Sequence, residues 1–189
     1  MLPDVQFDPA APARERILFQ AGSLFYQQGI RATGIDRIIA EASVTKVTFY
    51  RHFPAKQSLV VAFLEQRHQC WSAAFSSLLG QKVAEGLSLD RALPATLASW
   101  FSEKDFRGCA FINTAAELSD DNPQCMEVVK AHKRAMRDEI ATKLTRQQLW
   151  ALNAICMLVE GAIVQVQTGW NSKDVIKSLQ QALRVLLPA

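Results

Sequence analysis

Residues 33–56 run Thr33-Gly-Ile-Asp-Arg-Ile-Ile-Ala-Glu-Ala-Ser-Val-Thr-Lys-Val-Thr-Phe-Tyr-Arg-His-Phe-Pro-Ala-Lys56 and decide the fold. Ile35, Ile38, Ile39 and Ala42 recur at i, i+3, i+4 and i+7, which predicts a short helix over 35–41 with one apolar face. Thr33 is the expected N-cap, its hydroxyl accepting from a backbone N–H of the first turn. Ala42, Ser43 and Val44 make the corner, and Thr45 caps a second helix running to about His52. On that helix only Phe49 and Phe53 are available to the interior, while Lys46, Val47, Thr48, Tyr50 and Arg51 cover the other sides. A short helix that buries so little and carries so many hydrogen-bonding side chains is built to be read from outside. That is the layout of a helix-turn-helix, whose second helix enters the major groove of DNA.

Working outward, Ile17, Leu18, Ala21, Leu24 and Phe25 line one face of a helix over 13–28, and Gly29 ends it. Pro54 breaks the second reader helix. A long helix follows from about Lys56 through Leu59, Val60, Phe63, Leu64, Trp71, Phe75 and Leu78 to Gly80. Residues 81–86 read as a polar linker. Leu89, Leu93, Leu97, Trp100 and Phe101 mark the next helix, which Pro94 is expected to bend. Residues 109–118 are short and nearly apolar all round, and hence central. Asp120, Asp121, Asn122 and Pro123 make a break before a charged helix over 124–144. The last two helices, 145–168 and 172–187, are each apolar on more than one side and need two partners. The expectation is an all-α chain: a flexible arm (1–12), a three-helix DNA-binding domain (13–56), and a larger helical regulatory and dimerisation domain (57–189).

Thr33, Ile38-Ile39-Ala40, Ala42-Ser43-Val44-Thr45, Thr48-Phe49-Tyr50, His52-Phe53, Lys56 and Leu59 together resemble the DNA-binding pattern of the TetR (tetracycline repressor) family, over about residues 13–60. Two positions depart from it: Ser43 stands where the turn has glycine, and Val47 replaces a small residue on the recognition helix. The resemblance implies a transcriptional regulator, in most of the family a repressor, released from a palindromic operator by a small effector and working without a cofactor. It also implies a homodimer through residues 145–187, where the pair Gly161 and Ala162 allows close helix approach. On the reader, Lys46 suits guanine acceptors or phosphate, and the Val47 or Thr48 methyls suit a thymine methyl. Thr45, Tyr50, His52 and Lys56 suit phosphate oxygens. Thr33, Arg37 and Arg51 complete the candidate DNA contacts.

For the regulatory body the expectation is an apolar cavity lined by aromatic rings and a few polar groups. Its candidates are Trp71, Phe75, Trp100, Phe101, Cys109, Phe111, Asn113 and Glu117, with Asn113 and Glu117 one helical turn apart. A largely apolar effector is expected to enter between the long fourth helix and the 109–118 helix. Against this, the aromatic residues also suit an ordinary core, and Glu117 suits an ion pair. Cys109 follows Arg107 and Gly108 at a helix start, where dipole and cation favour a thiolate, so thiol-based sensing is an alternative.

Composition narrows the rest. The formal net charge of +3 is too small to argue for a DNA-compacting protein, yet residues 28–56 carry Arg31, Arg37, Lys46, Arg51 and Lys56 against Asp36 and Glu41. An enzyme using Cys109 and His132 is the rival class, but no Gly-rich phosphate loop, nucleophile elbow or metal signature accompanies them. His68 with Cys70, and His132 with Cys125, are badly spaced for a shared metal. The four scattered cysteines fit a reducing cytoplasm. No secretory signal and no stretch apolar enough to span a bilayer is expected, which predicts a cytoplasmic protein.

Overall fold

The computed structural model describes residues 7–118 and 122–188. Among them the chain is helical throughout: α1 (Ala13–Gln28), α2 (Ile35–Glu41), α3 (Lys46–His52), α4 (Lys56–Ala84), α5 (Leu89–Phe101), α6 (Ala110–Leu118), α7 (Pro123–Ala141), a 3₁₀ segment (Arg146–Ala151), α8 (Leu152–Gln167) and α9 (Ser172–Leu186). The described residues group into two compact units, one of 7–69 with 110–118 and 122–131, the other of 70–109 with 132–188.

In the first unit α1 is the post on which α2 and α3 rest. Its inner face, Ile17, Leu18, Ala21, Leu24 and Phe25, is buried as the spacing predicts, and Gly29 takes the positive φ of 92° that ends it. Phe25 meets Phe63 of α4 edge-on at 5.6 Å, and the Arg67 guanidinium lies 3.6 Å from the centroid of Tyr26. A cation seated on an aromatic face gains most where water is excluded, and Arg67 is only 8% exposed.

One local expectation fails here. Thr33 is not the N-cap of α2: that position falls to Gly34, and Thr33 is fully buried with its hydroxyl donating to the Gly29 carbonyl at 2.7 Å. The hydroxyl therefore closes the α1–α2 turn. Residues 7–12 of the expected arm are tied to α1, since Phe7 packs on Phe19 and Arg16 donates to the Pro9 carbonyl. Residues 1–6 of the arm, and Asp120 and Asp121 of the expected break, lie outside the described residues. Asn122 confirms the break from its other side, accepting from the Cys125 N–H ahead of α7.

In the second unit α9 packs against both α5 and α8, burying Leu179 and Leu183. Asn171 caps α9 by accepting from the Lys173 and Asp174 N–H groups, and Arg184 reaches Asp90 at 3.2 Å. Pro94 is accommodated inside α5, where it is buried. Helix α4 does not stop at Gly80. A helical glycine costs only about 1 kcal/mol, and Gln81 and Lys82 both pair with Glu85 beyond it, so the helix runs on to Ala84.

The expectation for 145–168 also needs correction. A capping box between Thr145 and Gln148 opens a 3₁₀ segment before α8 begins. This run, Arg146–Gln167, is by length and composition apolar enough to cross a membrane, contrary to the expectation that no stretch would be. Its apolarity has another source: Leu152, Ile155, Val159, Ala162 and Ile163 face the core, while further apolar side chains stand on its outside.

The thiol of Cys125 is fully enclosed, and burial pushes its pKa up to about 11 from an ordinary 9.0, against a smaller downward pull from Asn122. Between those values the unfolded chain binds fewer protons than the folded one, so stability falls as pH rises through that window and is unaffected below it. A loss of roughly 2 kcal/mol is expected from this group. Urea unfolding at pH 8 and 10.5 checks it: Cys125→Ala should lose less stability than wild type over that interval, and equal losses would refute the assignment.

Candidate nucleic-acid interface

The recognition surface is built from α3 outward. Thr45 accepts from the Thr48 N–H at 3.1 Å, so the N-cap expected there is formed, and the two hydroxyls lie 2.9 Å apart. The inner side of α3 is held by Phe49, fully buried, and by Phe53, whose ring lies 6.3 Å from that of Phe49. Arg14 of α1 covers the Phe53 ring at 5.3 Å. Tyr50 lies edge-on to Phe49, at 5.3 Å, instead of packing on Phe53.

The corner before α3 resolves the missing glycine. Ser43 itself adopts φ 52°, the only non-glycine residue among those described to do so. A side chain in this left-handed region costs roughly 1–2 kcal/mol. The conformation is held because Val44 N–H donates to Ile39 and Ala42 N–H to Ile38, closing the end of α2.

With its inner side pinned, α3 leaves the apolar side chain of Val47 at 70% exposure. Lys46 is exposed beside Asp36, at 3.6 Å, and Tyr50, Arg51 and His52 are exposed towards the C-terminal end of the helix. Arg37 is already engaged, its Nε donating to Glu41 at 2.7 Å and its Nη1 to Gln28. Thr33 is buried and presents nothing at this surface. Lys56 is half-buried: burial lowers its pKa, and the Glu117 carboxylate opposes that shift.

Glu117 has a structural position that its spacing did not reveal. Its carboxylate accepts from the Arg31 N–H at 2.8 Å, its carbonyl accepts from Arg31 Nε at 2.7 Å, and it sits against Gly29 where a Cβ would come within 3.2 Å of it. The C-terminal end of α6 is thereby fastened to the α1–α2 turn and faces the start of α4. Asn113 and Thr114 line a small cleft beside Phe25, Ile30 and Phe63, with interior room for about one water molecule. Phe111 is buried, edge-on to His68 at 6.5 Å.

The remaining effector candidates belong to the other unit. Trp71 stacks on Phe75 at 4.7 Å and meets Trp100 at 5.5 Å, and Trp100 is followed by Phe101 at 6.0 Å. Two members have no signal in the sequence. Phe106 joins Trp100 and Phe101 from a loop, where no periodicity marks it. His132 meets Trp71 at 4.8 Å from the middle of a charged helix, and only its complete burial singles it out. Cys109 is 3% exposed, and its Sγ accepts from Lys133 Nζ at 3.4 Å, while that ammonium also pairs with Glu160. Among the described residues no group of His, Cys, Asp and Glu is arranged to hold a metal.

This geometry agrees with comparisons to known proteins. Residues 17–63 match the family profile described as bacterial regulatory proteins, tetR family. The HTH-type transcriptional repressor NemR of Escherichia coli K12 is 29% identical over 110 residues, a match spanning 57% of this chain and 54% of NemR. The chain thus covers about half the length of that relative. By structure, reduced E. coli NemR superimposes with a TM-score of 0.78 over 92% of this chain and 97% of its own, at 19% identity. EbrR, described as a multidrug binding protein in complex with malachite green, shares the fold with a TM-score of 0.74 over 93% of this chain and 98% of its own, also at 19% identity. SCO4454, a TetR-family transcriptional regulator from Streptomyces coelicolor, is 30% identical, with a TM-score of 0.77 over 92% of this chain and 93% of its own. A helix-turn-helix pinned by Phe49 and Phe53, together with this similarity over nearly the whole chain, shows that the protein belongs to the TetR family of transcriptional regulators.

Proposed function

We propose that the protein is a cytoplasmic repressor that binds a palindromic operator as a dimer and lets go when a small, largely apolar effector enters its regulatory unit. The observation that carries the DNA half is the division of α3: one side is sealed by Phe49, while Val47 stands 70% exposed on another. Lys46 and the Thr48 methyl flank Val47, so this part of the helix suits guanine acceptors and a thymine methyl. Thr45, Tyr50, Arg51 and His52 suit the phosphates that fix register. Lys56 is better suited to facing Glu117 than to DNA, because its charge is already partly buried there.

The dimer half rests on an unpartnered apolar stripe. Trp150 (70% exposed), Met157 (75%) and Val164 (40%) lie at helical spacing with Gly161, beside which a Cβ would meet nothing, and Val185 of α9 is 80% exposed. A second copy related by a two-fold axis covers such a surface and gives the reader the symmetry of an inverted repeat. For control, α4 is one unbroken helix of 29 residues, about 43 Å long. It carries Trp71 and Phe75 near its middle and starts directly after α3. An effector that displaces Trp71 and Phe75 changes the spacing of two readers on one operator, a rigid-element mechanism of switching. EbrR, bound to malachite green, offers a precedent of fold for an aromatic effector.

A second reading places the trigger at Cys109, favoured by the Lys133 Nζ donating to its sulfur at 3.4 Å. Its burial restricts such a trigger to small oxidants such as hydrogen peroxide, which takes the thiol to the sulfenic acid with release of water.

Three measurements test these readings. Duplexes selected by the wild-type protein from a random pool supply the operator probe for fluorescence anisotropy. Lys46→Ala should weaken binding and reduce the salt slope by about one unit per subunit if it meets phosphate. Val47→Ala should change stability by less than about 0.5 kcal/mol yet alter the preferred base at one position in each half-site; an unchanged preference would remove Val47 from readout. In the second measurement, Met157→Glu puts a charge on the stripe without touching the core. Sedimentation should then show a folded monomer with operator affinity reduced at least tenfold, and a persistent tight dimer would place the interface elsewhere. Third, hydrogen peroxide should release wild-type protein from the operator but not Cys109→Ser if the thiol is the trigger; equal responses would leave only the reversible effector.

A further inference from the structure

The aromatic cluster holds a polar group with nothing to bind. Trp71 is 4% exposed, and its indole Nε1–H has no acceptor among the described residues. The ring is packed by Phe75 at 4.7 Å, nearly parallel, by Trp100 at 5.5 Å and by His132 at 4.8 Å, all within the same unit. Buried tryptophans ordinarily find a partner for this donor, and leaving it unmade forfeits its solvation. A residue wanted here only for bulk and stacking would be served by phenylalanine, which carries no donor to satisfy.

We infer that Trp71 Nε1–H is the hydrogen-bond donor for the effector, and that the effector is a largely aromatic molecule bearing a carbonyl or ether oxygen. This rests on reading the unit as effector-binding and adds the chemistry of what it accepts. Phe75, Trp100 and Phe106 offer stacking surface without charge. Lys133, 3.4 Å from the Cys109 sulfur, is committed to Glu160 at 2.8 Å. An acceptor oxygen answers the orphan N–H, whereas an extra donor on the ligand would not. The bound state thus gains a hydrogen bond that the resting state lacks. That gain is a differential interaction between two states, which is what a ligand needs in order to shift an equilibrium.

The test uses the full-length protein and two probes with the same bicyclic frame, 1-indanone, which has a carbonyl, and indane, which does not. With ¹⁵N-labelled tryptophan, the Trp71 indole signal is identified as the one lost in Trp71→Phe. Saturating 1-indanone should move its proton downfield and indane should not. By calorimetry, Trp71→Phe should weaken 1-indanone about three- to tenfold relative to indane. If bound 1-indanone leaves the Trp71 proton unmoved, or if the variant weakens both probes equally, Trp71 is a packing residue and the donor role is wrong, while the effector site survives. Binding of neither probe to wild type would reject the cluster as an effector site altogether. The Trp71 signal is assigned independently by elimination, from the indoles lost in Trp100→Phe, Trp150→Phe and Trp170→Phe, so a poorly folding Trp71→Phe does not rescue the inference.

Discussion

A seven-residue helix cannot hold itself together in water, since isolated helices shorter than about 12–15 residues are marginal. Helix α3 has that length and is the proposed DNA reader. What keeps it formed is the complete burial of Phe49, with Phe53 and the covering Arg14 guanidinium beside it, and the Thr45 cap at its other end. Each of these takes a group on the inner side or the terminus of the helix. Val47 is left on the outward side, 70% exposed. The shape of the reader is the shape left over once Phe49 has been buried.

The same economy of roles explains the residues around it. Arg37 carries charge near the reader but is held by Glu41 and Gln28, and Thr33 closes a turn. Glu117 belongs to α6 yet fastens to the turn after α1 and opposes the burial of Lys56. A carboxylate so engaged couples the position of α6 to the position of α1. That coupling is local to one unit and needs no ligand to exist.

The second unit joins two features that a self-contained core would not carry. One is the outward stripe through Trp150, Met157 and Val164 on a segment whose opposite side is already packed. The other is the unanswered indole N–H of Trp71 inside an aromatic cluster. Exposed apolar surface and buried polar surface are both unfavourable in an isolated chain. The proposed second protomer would cover the stripe, and the proposed effector would answer the donor.

The helix-turn-helix is legible in the amino-acid sequence because its signals are local. Apolar spacing places α2 at its observed bounds, Thr45 announces its own cap, and the string from Thr33 to Leu59 carries the family resemblance. Helix ends are less legible where propensity gives no sharp signal, as at Gly80, which α4 passes, and at the 3₁₀ opening of 146–151. The buried aromatic residues are recognisable as a class, but their neighbours are not. Phe106 and His132 come from a loop and a charged helix, and no spacing rule connects either to Trp71. By spacing alone Glu117 is a polar group open to a ligand, and only the tertiary structure supplies Arg31, 86 residues away in the chain, as its partner. The physical reason is common to these cases. Periodicity and capping are properties of consecutive residues, and sequence determines them directly, whereas the partner of a buried ring or charge is chosen by how separate helices pack.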